Sequence, residues 1–359
     1  MTNLRIGLLG YGIVGKGVFS LVNSQPGMSV VKVFDIPAKK DVLRNLLVTD
    51  FKEITESEDV DIVIECLGGD DLPYQAIISA LKNGKHVLSS NKETIANHFE
   101  EYMTLAKEHN VSFLCEAAVG GGIPLLHNVV EIARFDTIYS FIGLLNGTCN
   151  FILTRLTKDK YTFAQALKEA QDRGFAEKDY RADLSGADLL RKGRILASLA
   201  FHKDMDYKTI PSFGIENIND EIFESVSKLG RILKFGVFGY YKDGTLCVMS
   251  VPFLFKPNHA LSTLDYEFNG VLLECKNNST IEFIGKGAGS LPTASAIMQD
   301  LMHFQRGGSR IDMDDMSMAK VVFVKGEEYY VYQDGVGEII RANSVEELKK
   351  YKFIAKIVD

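Results

Sequence analysis

The feature that most constrains the fold is a glycine-rich segment that follows the first apolar run. Residues Leu4 to Leu9 are mostly apolar and lead directly into the sequence GYGIVG at residues 10–15. In such a segment the first glycine permits a tight turn, the second lets a pyrophosphate approach the backbone, and the third lets the next helix pack closely. That helix is predicted from Ile13 to Asn23. The residues expected to bind a dinucleotide here are Gly10, Gly12, Ile13, Val14 and Gly15.

A second predicted strand, at residues 30–34, ends at an acid. Asp35 lies about 20 residues beyond Gly15, where dinucleotide-binding folds carry the carboxylate that bonds the ribose. The alternative is a glycine-rich turn in another kind of α/β domain. Strand, glycines, helix, strand and acid all occur in the expected order, however, so the segment favours NAD(P) binding.

Strand-like runs then alternate with helical segments, which is typical of a doubly wound parallel sheet. The runs lie at residues 62–67, 86–89 and 112–115. Ligands of such sheets bind outside the carboxyl ends of the strands. The residues predicted to line the cofactor crevice are therefore Cys66, Leu67 and Gly68 after one strand and Ser90, Asn91 and Lys92 after the next.

Composition excludes several classes of protein. A formal net charge of −7 and a pI of about 5.6 argue against a nucleic-acid partner. No run of about 18 apolar residues is present, and the chain enters a strand within a few residues, which argues against a membrane span and a signal peptide. Five cysteines without paired spacing fit free thiols in a reducing compartment. We expect a cytoplasmic protein.

After residue 134 the pattern changes. Strands are predicted at residues 138–144, 247–255, 270–275 and 281–285, and helices at 162–173 and 292–304. We therefore predict an α/β domain at residues 1–134, completed by 288–312, and a second, α+β domain at 135–287 with a mostly antiparallel or mixed sheet. Residues 313–359 are predicted to form a short C-terminal extension that either packs on an interface or extends the sheet.

The stretch at residues 174–192 gathers four carboxylates and two lysines around the start of a helix. At helical spacing one stripe contains Asp188, Lys192, Ile195 and Leu199. The next face contains Arg191, Arg194, Ser198 and His202, and we expect it to face water. Asp188 and Lys192 then turn inwards. Burial lowers the pKa of a lysine towards the range useful for proton transfer, although a buried structural ion pair would give the same pattern.

Six motifs in order resemble homoserine dehydrogenases over about residues 4–310. They are GYGIVG, SSNKE at 89–93, EAAVGGGIP at 116–124, NGTCNFILTRL at 146–156, GFAEKDYRADLSGADLLRK at 174–192 and GKGAGSLPTASAIMQDL at 285–301. The resemblance implies interconversion of L-homoserine and L-aspartate 4-semialdehyde by hydride transfer with NAD(P), in the biosynthesis of threonine, methionine and isoleucine. It also implies a Rossmann domain, a catalytic and dimerising second domain, and a homodimer.

The resemblance also implies roles for individual residues. Lys192 matches the catalytic acid/base, Lys92 a second lysine that polarises the substrate carbonyl, and Asp188 the acid that orients Lys192. The residues implied in substrate binding are Glu177, which would hold the α-amino group, with Asp183, Gly147 and Thr148. For Thr148 the alternative is turn chemistry and helix capping.

Two glycine-rich loops match further sites of the family. The residues implied in binding a monovalent cation, sodium, are Glu116, Val119, Gly121 and Ile123. A tight glycine turn that supports the active site is the alternative. In the GKGAG loop, Gly289 would close on the cofactor, and the alternative there is a simple hinge.

The cofactor preference depends on the end of the second strand. Many relatives carry an arginine before the acid, where it can meet the 2′-phosphate of NADP, but here Phe34 precedes Asp35. This departure favours NAD. Lys39 and Lys40 are close enough in sequence to compensate, so NADP stays open.

Two other functions are compatible with this fold. One is another Rossmann oxidoreductase that acts on an amino-acid-derived aldehyde, and the other is a catalytically inactive nucleotide-sensing protein. A sensor has no need for an inward-facing set of acids and lysines, which favours an enzyme.

Overall fold

The computed structural model describes residues 3–173, 180–287, 289–307 and 316–359. Its strands, in chain order, are β1 (Leu4–Leu9), β2 (Met28–Phe34), β3 (Leu47–Val48), β4 (Ile62–Glu65), β5 (His86–Ser89), β6 (Phe113–Leu114), β7 (Ile138–Leu144), β8 (Lys203–Asp204), β9 (Ile232–Lys242), β10 (Thr245–Phe255), β11 (Phe268–Cys275), β12 (Ser279–Lys286), β13 (Ser317–Met318), β14 (Glu327–Gln333), β15 (Val336–Ala342) and β16 (Phe353–Val358).

The α-helices of the same residues are α1 (Ile13–Asn23), α2 (Lys40–Leu43), α3 (Lys52–Thr55), α4 (Asp71–Lys82), α5 (Lys92–Glu108), α6 (Leu126–Phe135), α7 (Gly147–Lys158), α8 (Phe163–Asp172), α9 (Arg181–Leu184), α10 (Ala187–Phe201), α11 (Asp220–Ser227), α12 (Ser290–Gln305) and α13 (Val345–Leu348). No helix among the described residues is long and apolar enough to cross a membrane.

The described residues fall into two compact units. One lies within Met1–Val130 and Ala288–Met316, and the other within Glu131–Gly287 and Ser317–Asp359. The first unit contains a six-stranded parallel sheet in the order β3-β2-β1-β4-β5-β6. This is the order of the dinucleotide-binding fold, and it reverses between β1 and β4, where such folds bind their ligand. The predicted doubly wound sheet is confirmed.

Helix α12 completes the first unit against α1. Their contact is close because Gly17 has no side chain: a Cβ there would lie 3.0 Å from the side chain of Ala294. The Ser290 hydroxyl donates to the carbonyl oxygen of Ile13 at 2.8 Å. The start of α12 therefore lies beside the glycine-rich segment.

The second unit is built on an eight-stranded sheet in the order β12-β11-β7-β9-β10-β16-β14-β15. Its pairs are antiparallel except for β10 with β16, so the predicted mixed sheet is confirmed. The tail extends this sheet through β14, β15 and β16, one of the two arrangements considered from the sequence. Tyr329, Val331 and Ile354 of the tail share a buried cluster with Val251 and Phe253 of β10.

Strand β9 is not predicted from the sequence, yet it pairs with β10 along its whole length. Gly236 and Gly239 interrupt its apolar pattern, and glycine in a strand often marks a close approach of another group. A Cβ at Gly239 would lie 2.1 Å from the ring of Phe141. The glycines that hide this strand in the sequence are thus required by the neighbouring strand.

Helix α10 crosses the second sheet and corrects one expectation. Arg194 and Ser198, predicted to face water, are only 4% and 0% exposed. The Arg194 guanidinium pairs with the Asp204 carboxylate at 2.5 Å, which makes its burial tolerable. On the other side, a Cβ at Gly193 would lie 2.4 Å from Val237. The helix is buried on both faces, so spacing alone could not identify its water side.

Candidate active site

The three glycines of the fingerprint are explained by different physical constraints. Gly10 has a φ of +96°, and a Cβ there would lie 2.8 Å from the carbonyl oxygen of Cys66. A Cβ at Gly15 would lie 2.0 Å from the carbonyl oxygen of Gly10. At Gly12, by contrast, a Cβ would meet no atom within 4 Å. The protein's own packing therefore explains the first and third glycines, whereas the second leaves open space that suits an approaching pyrophosphate.

The start of α1 is suited to a phosphate. Gly12 occupies the N-cap position and has no side chain to accept the first N–H groups of the helix. Ile13 is 76% exposed and Val14 is half-buried, so this helix end lies at the surface of the unit. Unbonded N–H groups at a helix N-terminus are a ready anion site. These residues fit the pyrophosphate of a dinucleotide.

Asp35 lies beside this segment at the end of β2. Its Oδ2 accepts the Tyr11 backbone N–H at 2.5 Å, and its Oδ1 accepts the Ile36 N–H at 2.7 Å. Two donors fix the half-buried carboxylate, and an ionised carboxylate has further lone pairs for two ribose hydroxyls. The geometry suits the ribose-binding role predicted from spacing.

Asn91 joins the two segments that follow β4 and β5. Its Nδ2 donates to the carbonyl oxygens of Leu67 at 3.3 Å and Gly69 at 2.8 Å. Its Oδ1 accepts the N–H groups of Glu93 and Thr94 and so caps α5. The half-buried Lys92 is the first residue of that helix.

The remaining predicted cofactor residues lie at the same edge of the first unit. Cys66 contacts Gly10, Gly68 is exposed, and the Ser90 N–H donates to the carbonyl oxygen of Glu65 at 3.2 Å. Gly289, with a φ of +116°, immediately precedes α12, whose first residue bonds to Ile13. The structure thus gathers these residues around the fingerprint.

In the second unit α10 carries a buried acid and lysine. Asp188 and Lys192 are 4% and 9% exposed, and the Lys192 Nζ lies 2.8 Å from Oδ2 of Asp188. The Nζ also donates to the carbonyl oxygen of Leu145 at 2.5 Å. A buried ammonium is tolerated when a carboxylate and further acceptors surround it. The i, i+4 pair predicted from the sequence is therefore formed.

Asn146 was missed as a site residue, although it directly precedes two predicted ones. Its Nδ2 donates to the carboxylates of Asp183 at 2.7 Å and Asp188 at 3.1 Å. Its Oδ1 accepts the Cys149 N–H at 2.9 Å and caps α7. The asparagine of the NGT motif therefore links the acids to the helix that carries Gly147 and Thr148. The signal that could have found it is an N-cap residue flanked by predicted substrate residues.

Gly147 and Thr148 form the first turn of α7. A Cβ at Gly147 would lie 3.2 Å from the carbonyl oxygen of Glu267, so this position has little room for a side chain. Thr148 is 9% exposed and Asp183 is half-buried. Glu177 lies outside the described residues.

Comparisons with known proteins agree with this geometry. A family model described as "Homoserine dehydrogenase" matches residues 124–302, and one described as "Homoserine dehydrogenase, NAD binding domain" matches residues 10–116. A homoserine dehydrogenase of Bacillus subtilis is 38% identical over 84% of this chain and 73% of its own length.

The chain belongs to the homoserine dehydrogenase family.

It is an NAD(P)-dependent oxidoreductase, and the two alternative functions are not favoured. The fold agrees as well. A crystal structure of a homoserine dehydrogenase from Thiobacillus denitrificans matches 99% of this chain and 98% of its own with a TM-score of 0.88 at 24% identity. A hyperthermophilic archaeal homoserine dehydrogenase, solved in complex with NADPH, matches 86% of this chain and 99% of its own with a TM-score of 0.73 at 21% identity.

The loop of this homoserine dehydrogenase that was predicted to bind a cation is folded around a buried carboxylate. Glu116 is 1% exposed, and its carboxylate accepts the N–H groups of Leu125, Leu126 and His127 at 2.5, 2.8 and 2.9 Å. Burial, and then the charge of Asp300, raises the pKa of Glu116 to about 7. The carboxylate therefore supports the start of α6.

The same loop turns through Gly120 and Gly121, which have φ values of +84° and +62°. In the described hydrogen bonds of this loop, the Gly120 carbonyl oxygen accepts the Ile123 N–H. The Gly122 carbonyl oxygen accepts from the Gln299 side chain. The carbonyl oxygens of the neighbouring Val119 and Gly121 are not acceptors in these described loop bonds. Backbone oxygens of this kind are hard ligands that suit a monovalent cation.

A further group of possible metal ligands lies beside Glu116. The Nε2 of His127 is 2.7 Å from Oδ1 of Asp300 and 3.8 Å from Oε2 of Glu116. Ligand atoms of these three residues lie within 4.8 Å of one another. The hydrogen bond between His127 and Asp300 also fits a purely structural network.

Proposed function

We propose that this enzyme interconverts L-homoserine and L-aspartate 4-semialdehyde, with Lys192 as the acid/base. The observation that carries this proposal is the buried Lys192 Nζ, 2.8 Å from Asp188 and bonded to the Leu145 carbonyl oxygen. When bound, the nicotinamide supplies or accepts the hydride. As the neutral amine Lys192 takes the hydroxyl proton during oxidation, and as the ammonium it returns that proton during reduction. Asp188 orients Lys192, and Lys92 polarises the carbonyl.

The substrate is an amino acid, and the proposed binding residues suit its ammonium group. Carboxylates accept charge-assisted hydrogen bonds from such a group. Glu177 holds the α-amino group in this proposal, and Asp183, tied to Asn146, assists it. Gly147 and Thr148 position the rest of the substrate.

An initial-rate assay of the purified protein tests the proposal. L-Homoserine is oxidised with NAD or NADP, and reduced cofactor is followed by its absorbance, with L-serine as a control substrate one methylene shorter. We expect turnover of homoserine well above that of serine. Absence of homoserine turnover in a folded protein that binds cofactor would refute the assignment of this substrate.

We also propose that NAD is preferred to NADP. The carboxylate of Asp35 is fixed beside the Tyr11 N–H, where it can accept the ribose hydroxyls but repels a 2′-phosphate. The archaeal relative solved with NADPH makes the test necessary. Asp35→Ala should lower the ratio of kcat/KM for NAD to that for NADP. A Lys39→Ala, Lys40→Ala double variant is the control, and a wild-type preference for NADP that this variant abolishes would contradict the proposal.

We propose further that sodium binds the Glu116 loop through oxygens of Glu116, Val119, Gly121 and Ile123. The support is the glycine turn, together with the carbonyl oxygens of Val119 and Gly121, which are not acceptors in the described loop hydrogen bonds. Rates are compared in sodium, potassium and choline chloride at equal ionic strength. Activation by sodium is expected, and equal rates in choline would refute the site.

The remaining proposals concern assembly and location. We propose a homodimer formed through the second unit, where Ile142 and Phe238 are only partly buried against the core of the mixed sheet. Light scattering should give about twice the chain mass of 39.9 kDa.

The net charge of −7 argues against a nucleic-acid partner. Cys66, Cys115, Cys149, Cys247 and Cys275 are free thiols, which fits a reducing cytoplasm.

A further inference from the structure

Glu65, the last residue of β4, is a buried carboxylate in the first unit that no step of the proposed chemistry uses. The residue is 0% exposed. Its Oε2 accepts the Ser89 hydroxyl at 2.5 Å, and its Oε1 accepts the Leu67 N–H at 2.6 Å. Burying a carboxylate without a cationic partner is costly, so a carboxylate retained in this environment calls for an explanation.

The two bonds of Glu65 lead to the two segments that line the predicted cofactor crevice. The Leu67 N–H belongs to the segment after β4, whose backbone contacts Gly10 of the fingerprint. The Ser89 hydroxyl ends β5, and its oxygen also accepts the Asn91 N–H at 3.1 Å. One side chain thus holds both segments at the carboxyl edge of the sheet.

Asn91 closes this network into a ring. Its side chain returns to the carbonyl oxygens of Leu67 and Gly69 and also caps α5, which begins at Lys92. A displacement of Glu65 would therefore move the loop at residues 66–69 and the first turn of α5 together. Buried networks of this kind are rigid only while each member keeps its partner.

We propose that Glu65 is a positioning residue that holds the segments at residues 66–69 and 89–92 in the geometry required to bind the nicotinamide cofactor. The inference rests on the proposed assignment of the cofactor to this edge of the sheet. Glu65 acts through Ser89, Leu67 and Asn91, and it is not itself assigned a contact with the cofactor.

The charge state of Glu65 matters to this role. Burial raises its pKa to about 7, while the bonds from Ser89, Leu67 and Asn91 oppose that rise. The ionised carboxylate accepts both donors, whereas a protonated carboxyl must donate from one of its oxygens. The titratable groups affected by its charge are the Cys66 thiol and the Tyr102 hydroxyl, and burial raises the pKa of both. Cofactor binding should therefore weaken as the pH falls through about 7.

Glu65→Gln tests the inference because it keeps the shape of the side chain and removes its charge. The dissociation constants of NAD and NADP are measured by calorimetry between about pH 6 and about pH 8.5. We expect the variant to bind cofactor about tenfold more weakly at the upper pH, the scale of one charge-assisted hydrogen bond. The pH dependence of binding seen in the wild type should also disappear, an effect that a merely structural residue would not produce.

Ser89→Ala provides a second route, since it removes the hydroxyl that links Glu65 to Asn91. It should weaken cofactor binding in the same direction. Ser79→Ala is the matched control: its hydroxyl pairs with that of Thr55 at 2.7 Å in the same unit, outside the two segments. The control should bind cofactor like the wild type.

The outcomes separate the inference from the assignment on which it rests. Wild-type affinity and an unchanged pH dependence in Glu65→Gln would overturn the role of Glu65 while leaving the cofactor site intact. A wild-type protein that binds neither NAD nor NADP would refute the proposed cofactor edge and the inference with it. Equal weakening in Ser79→Ala would also overturn it, because the effect would then be general to the unit.

Discussion

Asp188 of the second unit and Glu65 of the first are both buried carboxylates, but their partners differ. Asp188 lies 2.8 Å from the ammonium of Lys192. The donors described at Glu65, which are the Ser89 hydroxyl, the Leu67 N–H and the Asn91 side chain, are all neutral. A buried acid beside a lysine is favoured in its charged form by the ion pair, whereas one among neutral donors has only their hydrogen bonds to offset its desolvation.

This difference separates two uses of a buried charge. In the second unit the pair holds the lysine that we propose as the acid/base. In the first unit the carboxylate has a pKa of about 7, so its ionisation changes near neutral pH. Its acceptor oxygens can hold two loop segments.

The largest expected effect is the loss of Lys192. Lys192→Ala should lower kcat by about 10²- to 10⁴-fold, the usual contribution of a positioned acid/base. Cofactor affinity, measured by calorimetry, should change little. Lys168→Ala is the control, because the Lys168 side chain is 74% exposed and also pairs with an acid four residues away. Comparable loss of turnover in the control would contradict the assignment.

The second prediction concerns the pair itself. Asp188→Asn leaves Lys192 buried without its counter-charge, which should lower the free energy of unfolding by about 3 to 5 kcal/mol. The lysine pKa should fall as well, so the pH–rate profile moves to lower pH. Asp172→Asn breaks the exposed i, i+4 pair with Lys168, whose side chains are 64% and 74% exposed. Denaturant titration should show a difference of less than about 1 kcal/mol there. Equal losses of unfolding free energy in Asp188→Asn and Asp172→Asn would show that the buried ion pair contributes no more than the exposed one.

The sequence predicts the local parts of this architecture well. Helix α1 and strands β5 and β7 begin and end as predicted, because periodicity and glycines are local signals. The pairing of Asp188 with Lys192 was predictable for the same reason, since residues four apart lie on one helix face. The motif order predicted the family, which the comparisons show.

Contacts between distant segments could not be predicted in this way. The bond from Lys192 to the Leu145 carbonyl oxygen joins residues 47 apart in the chain, and that from Ser89 to Glu65 joins residues 24 apart. Arg194 was expected to face water because nothing near it in sequence indicates Asp204 as a buried partner. Strand β9 was missed because its glycines are required by close contacts with a neighbouring strand. They do not follow a local sequence pattern. In each case tertiary packing decides what a local pattern leaves open.

The third prediction is that removing the charge of Glu65 stabilises the protein, whereas removing that of Asp188 destabilises it. The folded-state pKa of Glu65, about 7, lies above its ordinary value of 4.5. Its contribution to stability is therefore full below about pH 4.5 and is lost as the pH rises through about 7. Glu65→Gln should increase the free energy of unfolding above pH 7, on the order of 3 kcal/mol for a shift of this size. Denaturant titrations across this pH range would measure it, and a decrease would contradict the contrast between the two acids.

The smallest expected effect is at Asn146, which caps α7 and also donates to Asp183 and Asp188. Asn146→Ala should lower stability by about 1 kcal/mol through the lost cap. It should also raise KM for homoserine, because the two acids lose the amide that holds them. Asn219→Ala is the matched control, since Asn219 caps α11 through the Ile222 N–H at 2.9 Å. Both variants should lose similar stability, but only Asn146→Ala should change KM. If Asn146→Ala and Asn219→Ala have the same KM for homoserine, Asn146 acts only as a helix cap. The pair of Asp188 and Lys192 would then not depend on the Asn146 amide.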